Sequence, residues 1–98
     1  MDADRFRRLH GDCHRIIRAI RKACRFNADD IDDLEQAMAV ALLELDDGET
    51  DSYCLERAAW AAFAWLRKTY GRSILFGIRQ SGDLTPLVDS GKWRRVWC

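Results

Sequence analysis

Residues 29–45 read DDIDDLEQAMAVALLEL, and this stretch decides the fold that the sequence predicts. At about 100° per residue most of its large apolar side chains fall on one stripe, which indicates an amphipathic helix packed on a core. The stripe consists of Ile31, Leu34, Met38, Ala41, Leu42 and Leu45. Asn27 is a favourable N-cap, and Gly48 is the expected C-terminal stop. We call this predicted element the acidic helix.

The opposite side of the acidic helix is too apolar for a helix that meets only water. Asp32, Gln36, Ala39, Val40 and Leu43 share that side. An apolar centre with carboxylates at its rim is typical of a protein-binding patch. The outer face of the acidic helix is therefore the first candidate for a binding site.

The charged residues are segregated along the chain, although the net charge is zero. Residues 1–27 carry a net charge of +5, residues 28–56 carry −11 without a single Arg or Lys, and residues 57–98 carry +6. Such blocks either form oppositely charged surfaces that steer a partner or a nucleic acid, or neutralise one another within a helical bundle. The sequence favours neither interpretation for most of the charges.

Two further long helices flank the acidic helix. Residues 4–25 alternate an apolar stripe with arginines, and Gly11 inside them is expected to mark a break or a point of close packing. Residues 52–70, capped by Thr50 or Asp51, are apolar on most sides and rich in alanine, which is typical of a central helix. Gly71 is expected to end this helix.

The remaining residues predict smaller elements. Residues 73–80 predict a short fourth helix that Gly77 interrupts. Residues 81–98 form an irregular C-terminal extension that ends in the basic-aromatic run KWRRVWC. We expect this extension to pack on or next to the helices of residues 1–80; the other interpretation is that it lies on nucleic acid or a partner. The predicted fold is thus all-α, a compact bundle of three to four helices with a short tail.

Histidine and cysteine in the first helix raise the question of a zinc site. His10, Cys13, His14 and Cys24 lie near one face. However, Cys24 follows His14 by about 15 Å along a helix, which zinc bonds of about 2 Å cannot span. Cys13 and Cys24 are therefore predicted to be small core residues, without a bound metal. The chain has four cysteines, predicted to be reduced thiols: Cys13, Cys24, Cys54 and Cys98.

Several classes of function lack their sequence signals. No segment reaches the roughly 18 consecutive apolar residues of a membrane span, and residues 1–25 lack the pattern of a signal peptide, which predicts a cytoplasmic protein without membrane contact. There is no Gly-rich phosphate loop, HExxH or CxxC pattern, and no nucleophile with an identifiable histidine partner. We therefore expect a binding protein that is not an enzyme and needs no cofactor.

Two motifs occur in order in the acidic helix and the third helix. Residues 33–36 read DLEQ. A Y-x-x-x-R … A … L-R spacing is formed by Tyr53, Arg57, Ala61, Leu66 and Arg67. The chain resembles region 2 of bacterial sigma factors, the all-helical domain that docks on core RNA polymerase and opens the −10 promoter element. In that family the first motif, D-L-x-Q, lies on the polymerase-binding helix, and the second lies on the promoter-melting helix.

The resemblance covers roughly residues 5–72 and has departures. Trp60 replaces a small residue of the family, and Ala64 replaces a common acid. Residues 73–98 do not resemble the rest of a sigma factor, and no helix-turn-helix is present to read a −35 element. The resemblance therefore implies a region-2-only protein. Such a protein is half of a split sigma factor whose second subunit reads the −35 element, or a small phage or mobile-element protein that occupies the sigma site.

The resemblance also implies two sets of contact residues. Those expected to contact the clamp helices of the largest polymerase subunit are Asp32, Asp33, Gln36, Val40 and Leu43. Those expected to contact single-stranded −10 promoter DNA are Arg57, Trp60, Trp65, Arg67, Lys68, Tyr70 and Arg72. Unpaired bases stack on aromatic rings beside a cationic track. Because the rings do not share one face of a helix, the sequence supports the polymerase contact more than the DNA contact.

Two other classes of function remain open. Eleven acids without a base in residues 28–56 are compatible with an inhibitor or adaptor that presents an acidic decoy to a nucleic-acid-binding protein. The other class is a free-standing DNA-binding helical domain. The zero net charge and the lack of a clear recognition helix count against the latter.

Overall fold

A computed structural model describes residues 1–80 together with Gly82 and Leu84. The described chain is built from helices, which confirms the predicted all-α class. Its elements are α1 (Ala3–Ala23), a 3-10 turn (Ala28–Asp30), α2 (Ile31–Leu43), α3 (Asp51–Tyr70) and α4 (Ile74–Gln80). No helix in this part of the chain is long and apolar enough to cross a membrane. The predicted C-terminal extension is residues 81–98, and of these only Gly82 and Leu84 belong to the described residues.

Side-chain caps start the long helices close to the predicted positions. The Asp2 carboxylate accepts from the Arg5 backbone N–H at 2.8 Å and starts α1. The Thr50 hydroxyl accepts from the Tyr53 N–H at 3.1 Å and starts α3, as expected. Each cap satisfies a backbone donor that has no partner within the helix. Asn27 also caps, but it caps the 3-10 turn that precedes α2 rather than α2 itself.

Two helices end earlier than the sequence predicts. The prediction of residues 4–25 for the first helix is two residues too long, because Cys24 already has an extended backbone. α2 ends at Leu43, so the expectation that Gly48 stops it is wrong. Among the described residues Gly71 has the one positive φ, +88°, and it ends α3 as predicted. Glycine adopts this conformation without the steric cost of a Cβ.

α3 is the central helix of the fold, because α1, α2 and α4 all pack against it. It buries seven residues, more than any other described element. Six of them are completely inaccessible to solvent, with 0% exposure: Cys54, Ala58, Ala59, Ala62, Phe63 and Leu66. The described buried side chains form one cluster: Leu9, Cys13, Ile17, Ile20, Leu34, Met38, Leu42, Cys54, Ala58, Ala59, Trp60, Ala62, Phe63, Leu66, Ile74, Ile78 and Leu84. Within the described part no polar or charged residue is buried, so the core requires no internal hydrogen-bond network.

Two helical glycines play opposite roles. A Cβ at Gly11 would meet nothing within 4 Å, and α1 runs through this position without a break. The expectation of a break or close packing at Gly11 is therefore wrong. A Cβ at Gly77 would lie 2.5 Å from the carbonyl oxygen of Ala23. The sequence predicted that Gly77 interrupts the fourth helix, but α4 continues through this position. Instead, the missing side chain lets α4 approach the end of α1.

These two glycines form a matched pair for a stability test. We expect Gly11→Ala to raise the free energy of unfolding by about 0.5–1 kcal/mol, because alanine restricts the unfolded chain and fits the helix. We expect Gly77→Ala to lower it by about 1–3 kcal/mol, because the added methyl group collides with backbone. Urea unfolding followed by circular dichroism measures both changes. Equal effects of the two substitutions would contradict this account of the packing.

Arg5 ties the loop between α2 and α3 to α1. Its Nε bonds to Asp51 Oδ1 at 3.0 Å, and its Nη1 donates to the Asp47 carbonyl at 2.9 Å. Its Nη2 donates to the Glu49 carbonyl oxygen. The planar guanidinium group presents several donors in a fixed geometry, which a lysine cannot reproduce. The N-terminal amine adds an ion pair of 2.6 Å to the Asp47 carboxylate.

Loss of the Arg5 guanidinium should therefore release this loop. We expect Arg5→Ala, and also Arg5→Lys, to lower the urea midpoint of unfolding and to speed amide hydrogen exchange in residues 46–50. Arg7→Ala is the matched control, because Arg7 is an exposed arginine of the same helix. A midpoint for Arg5→Ala that equals that of Arg7→Ala would show that the loop does not depend on this side chain.

Because of Cys13, the stability of the fold depends on pH in the alkaline range. Burial raises the pKa of its thiol from 9.0 to about 12, and nearby Asp12 contributes to the rise. The folded chain therefore keeps a proton that the unfolded chain loses above about pH 9. The stabilisation is complete below that pH and is lost as the pH rises toward 12. The other described cysteines, Cys24 and Cys54, are free thiols as predicted, while Cys98 lies outside the described residues.

We expect the unfolding free energy of the wild type to fall above about pH 9 by up to about 1.4 kcal/mol per pH unit from this thiol. Cys13→Ala is the control that lacks the group. Between about pH 8 and about pH 10 the unfolding free energy of the wild type should fall relative to that of Cys13→Ala. Urea titrations at both pH values measure it, and a difference that stays constant would contradict the assignment.

Candidate partner-binding surface

The outer face of α2 carries the two most exposed large apolar side chains of the described chain. Val40 is 53% exposed and Leu43 is 61% exposed. Gln36 precedes Val40 by one helical turn on the same side and is exposed as well. With Asp32 a further turn away, these side chains form a ridge about 16 Å long at 1.5 Å per residue. We call this surface, Asp32, Gln36, Val40 and Leu43, the α2 ridge.

A shallow depression borders the α2 ridge on the side of α3. Its lining combines four alanines and a valine with a tryptophan, one cation and one acid: Ala37, Val40, Ala41, Glu44, Arg57, Trp60, Ala61 and Ala64. The alanines of both helices leave the space, which has a volume of about 280 Å³. This apolar depression beside an exposed valine enlarges the patch that the sequence predicted.

A second depression borders the α2 ridge on the side of α1. It is lined by His10, Asp32, Glu35, Gln36 and Ala39. The His10 ring stacks on Phe6 with centroids 5.6 Å apart and meets the edge of His14 at 5.2 Å. His14 Nδ1 in turn lies 3.0 Å from Glu35 Oε1. His14 thus joins α1 to α2, and no cluster of metal-binding side chains occurs within the described residues.

The acidic block divides into two parts in the structure. Asp51 pairs with Arg5 and Arg8 of α1, and Asp47 pairs with the N-terminal amine. By contrast, Asp32, Asp33 and Glu44 are exposed around the α2 ridge. Charges therefore neutralise one another within the bundle at the loop after α2 and the start of α3, whereas the acids of α2 itself form a charged surface. The ridge has an apolar centre with an acidic rim.

Trp60 does not offer a stacking face in this structure. Its side chain is 5% exposed and belongs to the core cluster. The Arg57 guanidinium lies 5.6 Å from the centroid of the indole, and the Tyr53 ring meets it edge-on at 6.4 Å. The prediction that Trp60 contacts DNA thus conflicts with its burial, since a base needs an exposed ring.

The other predicted DNA contacts are distributed around α3. Trp65 is half-buried and packs against the core, and Arg67 is half-buried. Tyr70 is 36% exposed, but its hydroxyl donates to Asp30 Oδ2 and accepts from the Asn27 N–H at 3.1 Å. The hydrogen bond to Asp30 raises the pKa of the Tyr70 phenol. Tyr70 therefore joins the end of α3 to the start of α2.

Three of the predicted DNA contacts are exposed cations. Arg57 and Lys68 are eleven residues apart, so they lie on nearly the same side of α3, about 20° apart at 100° per residue. Arg72 follows the end of the helix. The structure thus presents exposed cations on α3, whereas the predicted stacking rings are buried, half-buried or hydrogen-bonded within the fold.

Comparison with family models, curated proteins and solved structures gave no match to this chain. The assignment of the surface therefore rests on its geometry and its motifs. Sequence reasoning identified the α2 ridge but missed the wall of the depression, Ala61 and Ala64. The alanine content of the third helix was the signal, because small side chains on an exposed face leave a groove as well as permitting close packing.

Proposed function

We propose that this chain is a non-enzymatic, transcription-related protein that docks on core RNA polymerase through the α2 ridge. The observation that carries the proposal is the exposure of Val40 and Leu43 directly after the DLEQ motif of residues 33–36. The resemblance to sigma factor region 2 supplies the partner, the clamp helices of the largest subunit. A second polypeptide would then supply −35 recognition.

The physical properties of the ridge suit a helical partner with basic flanks. An amphipathic helix places apolar side chains into a depression such as the one between α2 and α3. Fully burying a valine or leucine contributes about 1.5–3 kcal/mol, and Val40 and Leu43 are each about half exposed before docking. Asp32, Asp33 and Glu44 at the rim would speed association with a basic surface.

Promoter DNA has a secondary place in the proposal. Arg57, Lys68 and Arg72 are available to phosphates of the −10 element, because all three are exposed. Trp60 and Tyr70 are engaged within the fold, so stacking on them would need a rearrangement. We therefore propose that any DNA contact of α3 is made mainly to the backbone.

Affinity capture tests the polymerase contact. The variant Gln36→Ala combined with Leu43→Asp should lose at least tenfold in capture of purified core polymerase, because a charge enters the apolar centre. The matched control is Gln80→Ala combined with Thr69→Asp, since both positions are exposed and lie outside the ridge. Both variants should keep the circular dichroism spectrum of the wild type. Undiminished capture by the ridge variant would refute the proposal.

Salt dependence separates this proposal from an acidic decoy. A decoy that binds through carboxylates should weaken steeply as salt rises, because exposed charges are screened. A complex centred on Val40 and Leu43 should keep most of its affinity, because apolar burial is not screened by salt. The same titration with a basic nucleic-acid-binding protein in place of polymerase tests the decoy directly.

A further inference from the structure

The C-terminal half of α1 and the turn after it present a row of cations that the proposed function does not use. They are Arg15, Arg18, Arg21, Lys22 and Arg25, and we call them the α1 cationic stripe. All five are exposed. The apolar side of the same helix is buried in the core, so the stripe faces away from it.

No acid of the described chain neutralises this stripe. The salt bridges of α1 within the described residues involve Arg5, Arg8 and His14, which all precede the stripe. Between Asp12 and Asp29 the sequence contains no acid at all. The eleven acids of residues 28–56 therefore leave these five positive charges without a salt-bridge partner in this part of the molecule.

The helix dipole explains only part of the stripe. Cations in the last turn of a helix are stabilising, which accounts for Arg21 and Lys22. Arg15 and Arg18 precede the last turn, and Arg25 follows the helix. At the end of the stripe Arg25 lines a shallow depression together with Tyr70 and Ser73.

The density of charge matches a nucleic-acid strand. Arg15 and Lys22 are seven residues apart, which corresponds to about 10 Å at the helical rise, and Arg25 follows the end of the helix. One strand of DNA carries a phosphate about every 3.4 Å along the axis, so about three phosphates occupy the length between Arg15 and Lys22. Four of the five cations are arginines, whose guanidinium groups bind phosphate oxygens in pairs.

We infer that the α1 cationic stripe binds the phosphate backbone of duplex nucleic acid, without reading its sequence. A membrane surface fits less well. A helix that lies on a bilayer inserts its apolar face, and the apolar face of α1, including Leu9, Ile17 and Ile20, is already buried. This inference does not depend on the polymerase proposal, because it concerns another helix and can be tested with the chain alone.

Fluorescence anisotropy with the full chain and a labelled random-sequence DNA duplex of about 20 base pairs tests the inference. If all five cations engage phosphates, the slope of log K against log salt is about −4.5. Binding should then weaken by several hundred-fold between about 50 and about 200 mM salt. Arg15→Gln with Arg18→Gln should reduce the magnitude of the slope by about 1.8 and weaken low-salt binding at least tenfold.

The control changes the net charge by the same amount elsewhere. Ala3→Glu with Ser52→Glu also lowers the net charge by two, at two exposed positions in the first turns of α1 and α3. Acids are favourable there, and Ala3 is about 18 Å along the helix from Arg15, beyond the Debye length of about 8–10 Å. The control should keep the wild-type slope, and both variants should keep the wild-type circular dichroism spectrum.

Four outcomes would overturn the inference. They are no binding of duplex by the wild type, wild-type binding by the Arg15/Arg18 variant, equal weakening by the control, and preference for vesicles of phosphatidylserine and phosphatidylcholine over DNA. Retention of polymerase capture by the Arg15/Arg18 variant is expected in every case. The experiments can therefore overturn the inference about the α1 cationic stripe independently of the proposal about the α2 ridge.

Discussion

The structure depends on the burial of α3 on most of its sides. Phe63 and Leu66 supply large apolar side chains, and Ala58, Ala59 and Ala62 let neighbouring helices approach closely. Because α3 contacts the three other helices, it determines where each of them can lie. A helix that is apolar around most of its circumference is stable mainly when other helices cover it on several sides. The surfaces that remain for binding are consequently those of the outer helices and the exposed edge of α3.

Polar contacts position the ends of the helices around this core. The Arg5 guanidinium holds the loop before α3, and the Tyr70 hydroxyl holds the other end of α3 to the turn before α2. Both contacts lie at the periphery, since no polar side chain of the described residues is buried. Both contacts use acidic side chains of residues 28–56. Part of the segregated acidic charge therefore stabilises the fold itself.

Exposed charge remains on the outer helices α1 and α2, in addition to the exposed cations Arg57 and Lys68 of α3. α2 carries exposed acids around an apolar centre at Val40 and Leu43, whereas α1 carries exposed cations from Arg15 to Arg25. The first surface fits a basic helical protein, and the second fits a polyanion. The zero net charge of the chain conceals both surfaces, because the eleven acids of residues 28–56 are balanced by the basic residues on both sides of them.

The sequence by itself determined the helical class, the stop at Gly71 and the outer face of α2, and it placed caps at Asn27 and at Thr50 or Asp51, because periodicity and local hydrogen bonding are properties of short segments. Tertiary structure alone decided which aromatic rings remain accessible. Trp60 is covered by Arg57 and Tyr53, and Tyr70 is engaged by Asp30, through contacts between rings and charges whose positions depend on packing. It also decided that Gly77 is a point of close approach and Gly11 is not, because only the neighbouring helix distinguishes two glycines with similar local sequence signals.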